Sequence, residues 1–246
     1  MKKLSSRRRI VQRSVVIPLS VMVPLGLAGV AYAADGAFNS ANPHSYDPAH
    51  TSLVTSGWIN GIGCPTNAIV ANPNAGYTGV GSTSPYTDAA CPTGDPSDNH
   101  NQGLLLSKTG PTNNFAAAQV QLNGIKKGTT LTELGFDIRG GSHCSAGAPR
   151  FEVVTDQGND WNIGCSTGTK TTSSTEWSRM RWSSTNGTLV GYDASNGYAY
   201  GAVTGTVKSI SIIMDEGQDA DPIGLAVLDN VDVNATLVGH GSNGDS

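Results

Sequence analysis

The sequence predicts an all-β fold, a two-sheet antiparallel sandwich of about nine strands. Three observations carry this. Apolar and polar residues alternate at period two in several segments, and no stretch of ten or more residues keeps a helical period. The composition, with 31 glycines, 6% aromatic and 14% charged residues, suits short strands joined by generous turns.

Taken in order, short runs from Trp58 to Ile62 and from Gly103 to Ser107 open the series. Ala116, Ala118, Val120 and Leu122 then alternate with Gln119, Gln121 and Asn123. In the clearest strand, Leu134, Phe136 and Ile138 form an inward row against an outward row of Glu133, Asp137 and Arg139. After the GGSHCSAGAP loop, Phe151 and Val153 lie opposite Arg150 and Glu152, and Trp161 to Cys165 follows. From Glu176 to Ser183 the core side is Met180 and Trp182, leaving Trp177, Arg179 and Arg181 on the other face. Ile210, Ile212 and Met214 stop at Asp215-Glu216-Gly217, and Leu225 to Leu237 closes the fold.

Residues 1–33 read as a cleaved signal peptide, a helix placed ahead of the β-domain. The basic start MKKLSSRRRIVQR precedes an apolar run from Val15 to Val30 and the small-residue ending Ala31-Tyr32-Ala33. The stretch Ser6-Arg7-Arg8-Arg9-Ile10-Val11-Gln12 also fits twin-arginine export, so the route stays open between Sec and twin-arginine. The expected organisation is an extended lead-in over 34–56, a sandwich over 57–238 and a disordered polar tail over 239–246.

Removing the six cations of residues 1–33 leaves nine basic against nineteen acidic residues, a net charge of −10. Such a surface repels phosphate backbones and anionic lipid, so neither nucleic acid nor a membrane anchor is expected, and the chain reads as a secreted, extracellular protein. In that compartment Cys64, Cys91, Cys144 and Cys165 are expected as two disulfides. The favoured pairs are Cys64 with Cys91 and Cys144 with Cys165, each bracketing a Gly/Asn/Thr-rich excursion. No Cys-x-x-Cys spacing supports zinc.

The stretches LTELGFDIRGGSHC, VKSISIIMDEGQDADP and GLAVLDNVDVN resemble the jelly-roll domains of secreted bacterial proteins, of the galactose-binding-like and carbohydrate-binding-module type. The resemblance implies a jelly-roll sandwich over roughly 55–238, and no ligand residue carries over with it.

Candidate ligand residues come from the outward rows. Gln119, Gln121, Asp137, Arg139, Glu152, Trp177, Arg179 and Arg181 combine an aromatic ring with amide, carboxylate and guanidinium groups, the parts a sugar needs for stacking and hydroxyl hydrogen bonds. Tyr198 and Tyr200 flank a turn on a shared face. Asp215, Asp219 and Asp221 bunch with Glu216 in an acidic loop suited to a structural calcium. Asp229 is the other candidate calcium ligand, inward in phase with Val227 and Val231 unless a bulge turns it to water. No Gly-x-Ser-x-Gly is present, and His143 reads as a loop residue. The expected role is non-catalytic binding of extracellular carbohydrate or cell-envelope glycan. The alternatives are a structural or surface-associated protein without enzymatic activity, a protein-binding module, and a glycan hydrolase using Asp137 and Glu152.

Overall fold

A computed structural model describes residues 38–66, 88–98, 100–110, 115–216 and 223–241, and these form two antiparallel sheets packed face to face. The first sheet contains β1 (Ser40–Tyr46), β4 (Ala117–Asn123), β6 (Arg150–Thr155), β7 (Asp160–Gly164), β10 (Val190–Asp193), β11 (Ala199–Ala202) and β12 (Val207–Met214). Its spatial order is β1-β4-β12-β6-β7-β10-β11. The second holds β2 (Val54–Ile59), β3 (Gly103–Thr109), β5 (Glu133–Arg139), β8 (Thr169–Ser173), β9 (Trp177–Ser183), β13 (Ile223–Val233) and β14 (Thr236–Val238). It is ordered β2-β3-β13-β5-β9-β8, with β14 on β13.

The inner rows meet as the alternation predicts. Leu134, Phe136 and Ile138 of β5, Phe151 and Val153 of β6, Met180 and Trp182 of β9, and Ile210, Ile212 and Met214 of β12 share one buried cluster. Phe136 stacks on Phe151 with centroids 5.5 Å apart, and Trp182 meets both rings edge-on at 5.2 and 5.5 Å. These three side chains join the two sheets, because β6 belongs to one and β5 and β9 to the other.

Fourteen strands stand where about nine are predicted. Among the missed strands, β1, β8 and β11 are sheet edges, and β10 lies next to one. An edge strand satisfies only one side of its backbone, and it tolerates proline and polar residues that hide its period. Segment 34–56 is therefore no mere lead-in. From Ser40 it carries β1, in which Pro43 is accommodated at an edge, and it buries Phe38 and Ala41 in the core. The strand expected at 58–62 lies at 54–59. The expected signal helix, and all but residues 239–241 of the expected tail, lie outside the described residues. No helix among those described is long and apolar enough to cross a membrane.

Both expected cysteine pairings are present, Cys64 with Cys91 and Cys144 with Cys165. The first pins a cover, residues 60–66, 88–98 and 100–102, onto the outer face of the second sheet. Cys64, Ala90, Cys91, Trp177 and Val227 form a second small hydrophobic cluster there, with Ile62 and Leu105 against it.

Candidate functional site

The outward residues divide between two unlike surfaces. The outer face of the second sheet, expected to meet water through Trp177, Arg179, Arg181 and Asp137, is buried beneath the cover; all four side chains are inaccessible or nearly so. Arg139 at the end of β5 remains exposed. Asp137 is fully buried and accepts from Arg179 through Nε (2.8 Å) and Nη2 (3.0 Å), and from Asn230 Nδ2 (2.9 Å). Arg179 also reaches the cover, donating to the Thr93 hydroxyl at 3.0 Å and the Thr93 carbonyl at 2.5 Å. Asn230 accepts from the Asp95 amide, and Asp95 accepts from Gly239 N and His240 Nδ1. A continuous polar chain thus ties sheet, cover and C-terminal residues together.

Arg181 lies flat over Gly135, where a Cβ would come within 2.4 Å of its side chain, and it meets Asp232 at 3.1 Å. Burial lifts the Asp137, Asp229 and Asp232 carboxyls above the ordinary range and pushes Asp98 up to about 6.

Asp229 matches neither sequence expectation. The strand has a bulge between Asp229 and Asp232, with Asn230 at φ 45°, so Leu225, Val227 and Asp229 turn outward while Val231 and Val233 turn inward. Outward here means beneath the cover, and Asp229 is buried without entering the sandwich core.

These buried acids set a pH dependence. A carboxyl with a raised pKa takes up a proton on folding, so its stabilisation is full below the unfolded value near 3.8 and is lost as pH rises through the folded value. Asp98 loses it around pH 6. His240, raised above 6.5 chiefly by its hydrogen bond to Asp95, acts with the same sign. The melting temperature in EDTA should therefore fall between pH 5 and pH 8. A calorimetric profile rising over that window would refute this assignment of buried protons.

Among the described residues, the outer face of the first sheet has no such cover. Cross-strand register lines up one residue from each of its seven strands: Asn42, Gln121, Ser211, Glu152, Asn162, Tyr192 and Tyr200. With strands about 4.8 Å apart, the row runs about 29 Å. Every member is exposed or half-buried. Tyr192 and Tyr200 have ring centroids 5.0 Å apart and are 43% and 60% exposed. Beside the row, Gln119 bonds His44 at 2.7 Å, and Arg150 bridges Asn162 (2.7 Å) and Asp215 (2.6 Å). Ser211 donates to Glu152 at 3.2 Å. Burial, then the Asp160 charge, raises the Glu152 carboxyl.

Tyr198 stands at the same end, 66% exposed, at the turn between β10 and β11. Asp193 builds this turn, accepting from Ser195 N and Oγ, Asp160 N and Asn159 Nδ2. Gly197 and Tyr198 follow with left-handed φ of 59° and 60°. A tyrosine pays a steric cost in that conformation, so the turn holds Tyr198 out to solvent against local preference. Tyr192 belongs to the same three-tyrosine segment of the sequence, and its place opposite Tyr200 comes from the β10–β11 pairing.

Gln119, Gln121, Glu152, Tyr198 and Tyr200 thus share one open face, whereas Trp177, Arg179, Arg181 and Asp137 belong to the covered one. Asp137 and Glu152, expected on neighbouring strands as a hydrolase pair, lie on different sheets and point out of opposite sides of the sandwich. Sheets stack about 10 Å apart, and outward side chains add to that, whereas paired glycosidase carboxylates need about 5–9.5 Å. In the acidic loop, Asp215 is held by Arg150, and its carbonyl accepts from Lys108 Nζ at 2.7 Å. Asp219 and Asp221 lie outside the described residues. Glu216 Oε2 takes bonds from both His143 and Ser145 at 2.5 Å, an order that does not place the imidazole on the serine oxygen. Cys64, Cys91 and Asp137 have donor atoms within 4.8 Å of one another, but the sulfurs are joined in a disulfide and offer no thiolate to a metal.

No family model, curated protein or solved structure matches this chain.

Proposed function

We propose that this protein is a secreted, non-catalytic glycan-binding domain whose binding surface is the outer face of the first sheet. One observation carries the reading: the unbroken row from Asn42 to Tyr200, polar along most of its length and aromatic at one end. A sugar ring presents C–H faces that stack on Tyr192 and Tyr200, while its hydroxyls pair with Asn162, Glu152, Ser211 and Gln121. A flat face about 29 Å long suits an extended chain of several sugars better than a monosaccharide, which would prefer a closed pocket. The tyrosine turn supplies an end where the chain is gripped, with Tyr198 exposed beside it.

Co-sedimentation with insoluble cellulose, chitin, mannan, β-glucan and peptidoglycan tests this. Retention on at least one polymer is expected, and Tyr192→Ala with Tyr200→Ala should weaken it by roughly 10- to 100-fold, the loss of two stacking contacts at about 1 kcal/mol or more each. Trp177→Phe, on the covered face, should leave retention unchanged. Equal retention of the tyrosine variant would move the binding surface elsewhere, and no retention on any polymer would favour a structural or protein-binding role.

A further inference from the structure

Beneath the cover, two buried carboxylates make no ion pair among the described residues, though the His240 charge reaches Asp98. Asp98 accepts only backbone amides, from His100 (3.1 Å) and Gln102 (3.1 Å), and Asp229 accepts only those of Cys64 and Asn230, each at 2.6 Å. The neighbouring buried acids differ, since Asp137 is paired with Arg179, Asp95 with His240 and Asp232 with Arg181. Asp98 and Asp229 feel one another's charge. A second observation lies on the same loop as Asp98. Asn101 is wholly buried, and neither its side-chain oxygen nor its nitrogen has a hydrogen-bond partner.

The local backbone brings these groups together. The residues on either side of Asn101 wrap the Asp98 carboxylate with their amides, and the Asn101 carbonyl accepts from Gly63 N at 2.9 Å. Gly63 precedes Cys64, whose amide holds Asp229. A Cβ on Gly63 would lie 2.2 Å from the Gln102 carbonyl and 2.9 Å from Asp229 Oδ2, so the chain at 101–102 runs directly beside Asp229. An unsatisfied buried amide costs about 1–3 kcal/mol, and a second uncompensated carboxylate costs more. A cation among them compensates the carboxylates and gives the Asn101 oxygen a partner.

We propose that Asp98, Asp229 and the side-chain oxygen of Asn101 bind a calcium ion under the cover. All three donors are oxygens, which selects a hard cation over zinc or copper, and a site built from irregular loop suits the variable coordination of calcium. The remaining positions belong to water or backbone carbonyls. The ion would join the cover to β13, making the outer face of the second sheet a calcium-locked layer. This site differs from the acidic loop at 215–221, and it does not depend on what the first sheet binds.

The test is calcium alone, added to the full chain after EDTA treatment. Calorimetric titration should show one site, and calcium at a hundredfold excess over Kd should raise the melting temperature by on the order of 5–10 °C. Asp98→Asn keeps an oxygen for the His100 and Gln102 amides, so in EDTA it should melt close to the wild type while losing the calcium response; Asp229→Asn, which turns an NH2 onto the amide of Cys64 or Asn230, should melt lower in EDTA and likewise show no calcium response. Asp219→Asn should respond as the wild type does. Absence of heat and of any melting shift in the wild type would overturn the site, as would a response that survives Asp229→Asn and is lost in Asp219→Asn.

Discussion

Replacing Arg179 with alanine is expected to cost about 3–5 kcal/mol, the largest loss from any single side chain outside the sandwich core. The guanidinium makes both bonds of a side-on pair with a carboxylate that has no exposure, and its remaining donors hold Thr93 of the cover. Removing it leaves the buried Asp137 charge with the Asn230 hydrogen bond and the more distant Arg181 guanidinium at 3.9 Å. The carboxyl then responds by protonating, so the variant should lose less at pH 5 than at pH 8. Arg179→Lys restores a charge without the planar fork and should recover only part of the stability. Chemical denaturation at the two pH values measures both effects, and a loss below about 1 kcal/mol would mean the pair is solvated.

Replacing Cys64 and Cys91 together with serine is expected to lower stability by about 3–4 kcal/mol, from the closure entropy of a 27-residue separation. A more specific consequence follows from what the disulfide clamps. Trp177, Val227 and Leu105 pack under it, so freeing the cover should expose Trp177 and shift its fluorescence to longer wavelength while the far-ultraviolet β signal persists. The buried acids should return to ordinary titration, flattening the pH profile. Loss of the Cys144–Cys165 disulfide should leave the Trp177 environment intact, because that bond ties the loop before β6 to the end of β7. Equal fluorescence shifts in the two variants would contradict this division of labour.

Inner rows were legible in the sequence because burial on the core side admits only apolar residues at period two, as Leu134, Phe136 and Ile138 show. Disulfide partners were legible because each bracketed a turn-rich excursion. The outer rows were ambiguous for a physical reason. Arg179, Arg181 and Asp137 carry the same polarity whether water or a polar cover lies above them. Two signals pointed to the cover: Trp177, a large ring on the same side, and Gly135, whose bare backbone makes room for Arg181. The long binding row was illegible because it depends on strand order. Gln121, Ser211, Glu152 and Asn162 become neighbours only after β12 inserts between β4 and β6. Edge strands hid for a related reason, since β1 and β8 need little apolar content to pair on one side.

The buried face and the open face explain each other. Covering the second sheet with a disulfide-pinned layer leaves the first sheet as the one broad β-surface without a cover among the described residues, with Tyr192 and Tyr200 paired at one end and Tyr46 exposed at the other. The central claim is that this face takes a glycan chain. Nuclear magnetic resonance titration of the labelled protein with soluble oligosaccharides of whichever polymer retains it tests that most directly. The account predicts shifts concentrated at Gln121, Ser211, Glu152, Asn162, Tyr192, Tyr198 and Tyr200, with residues of β2, β3 and β13 unmoved. Shifts confined to the second sheet or its cover would contradict it.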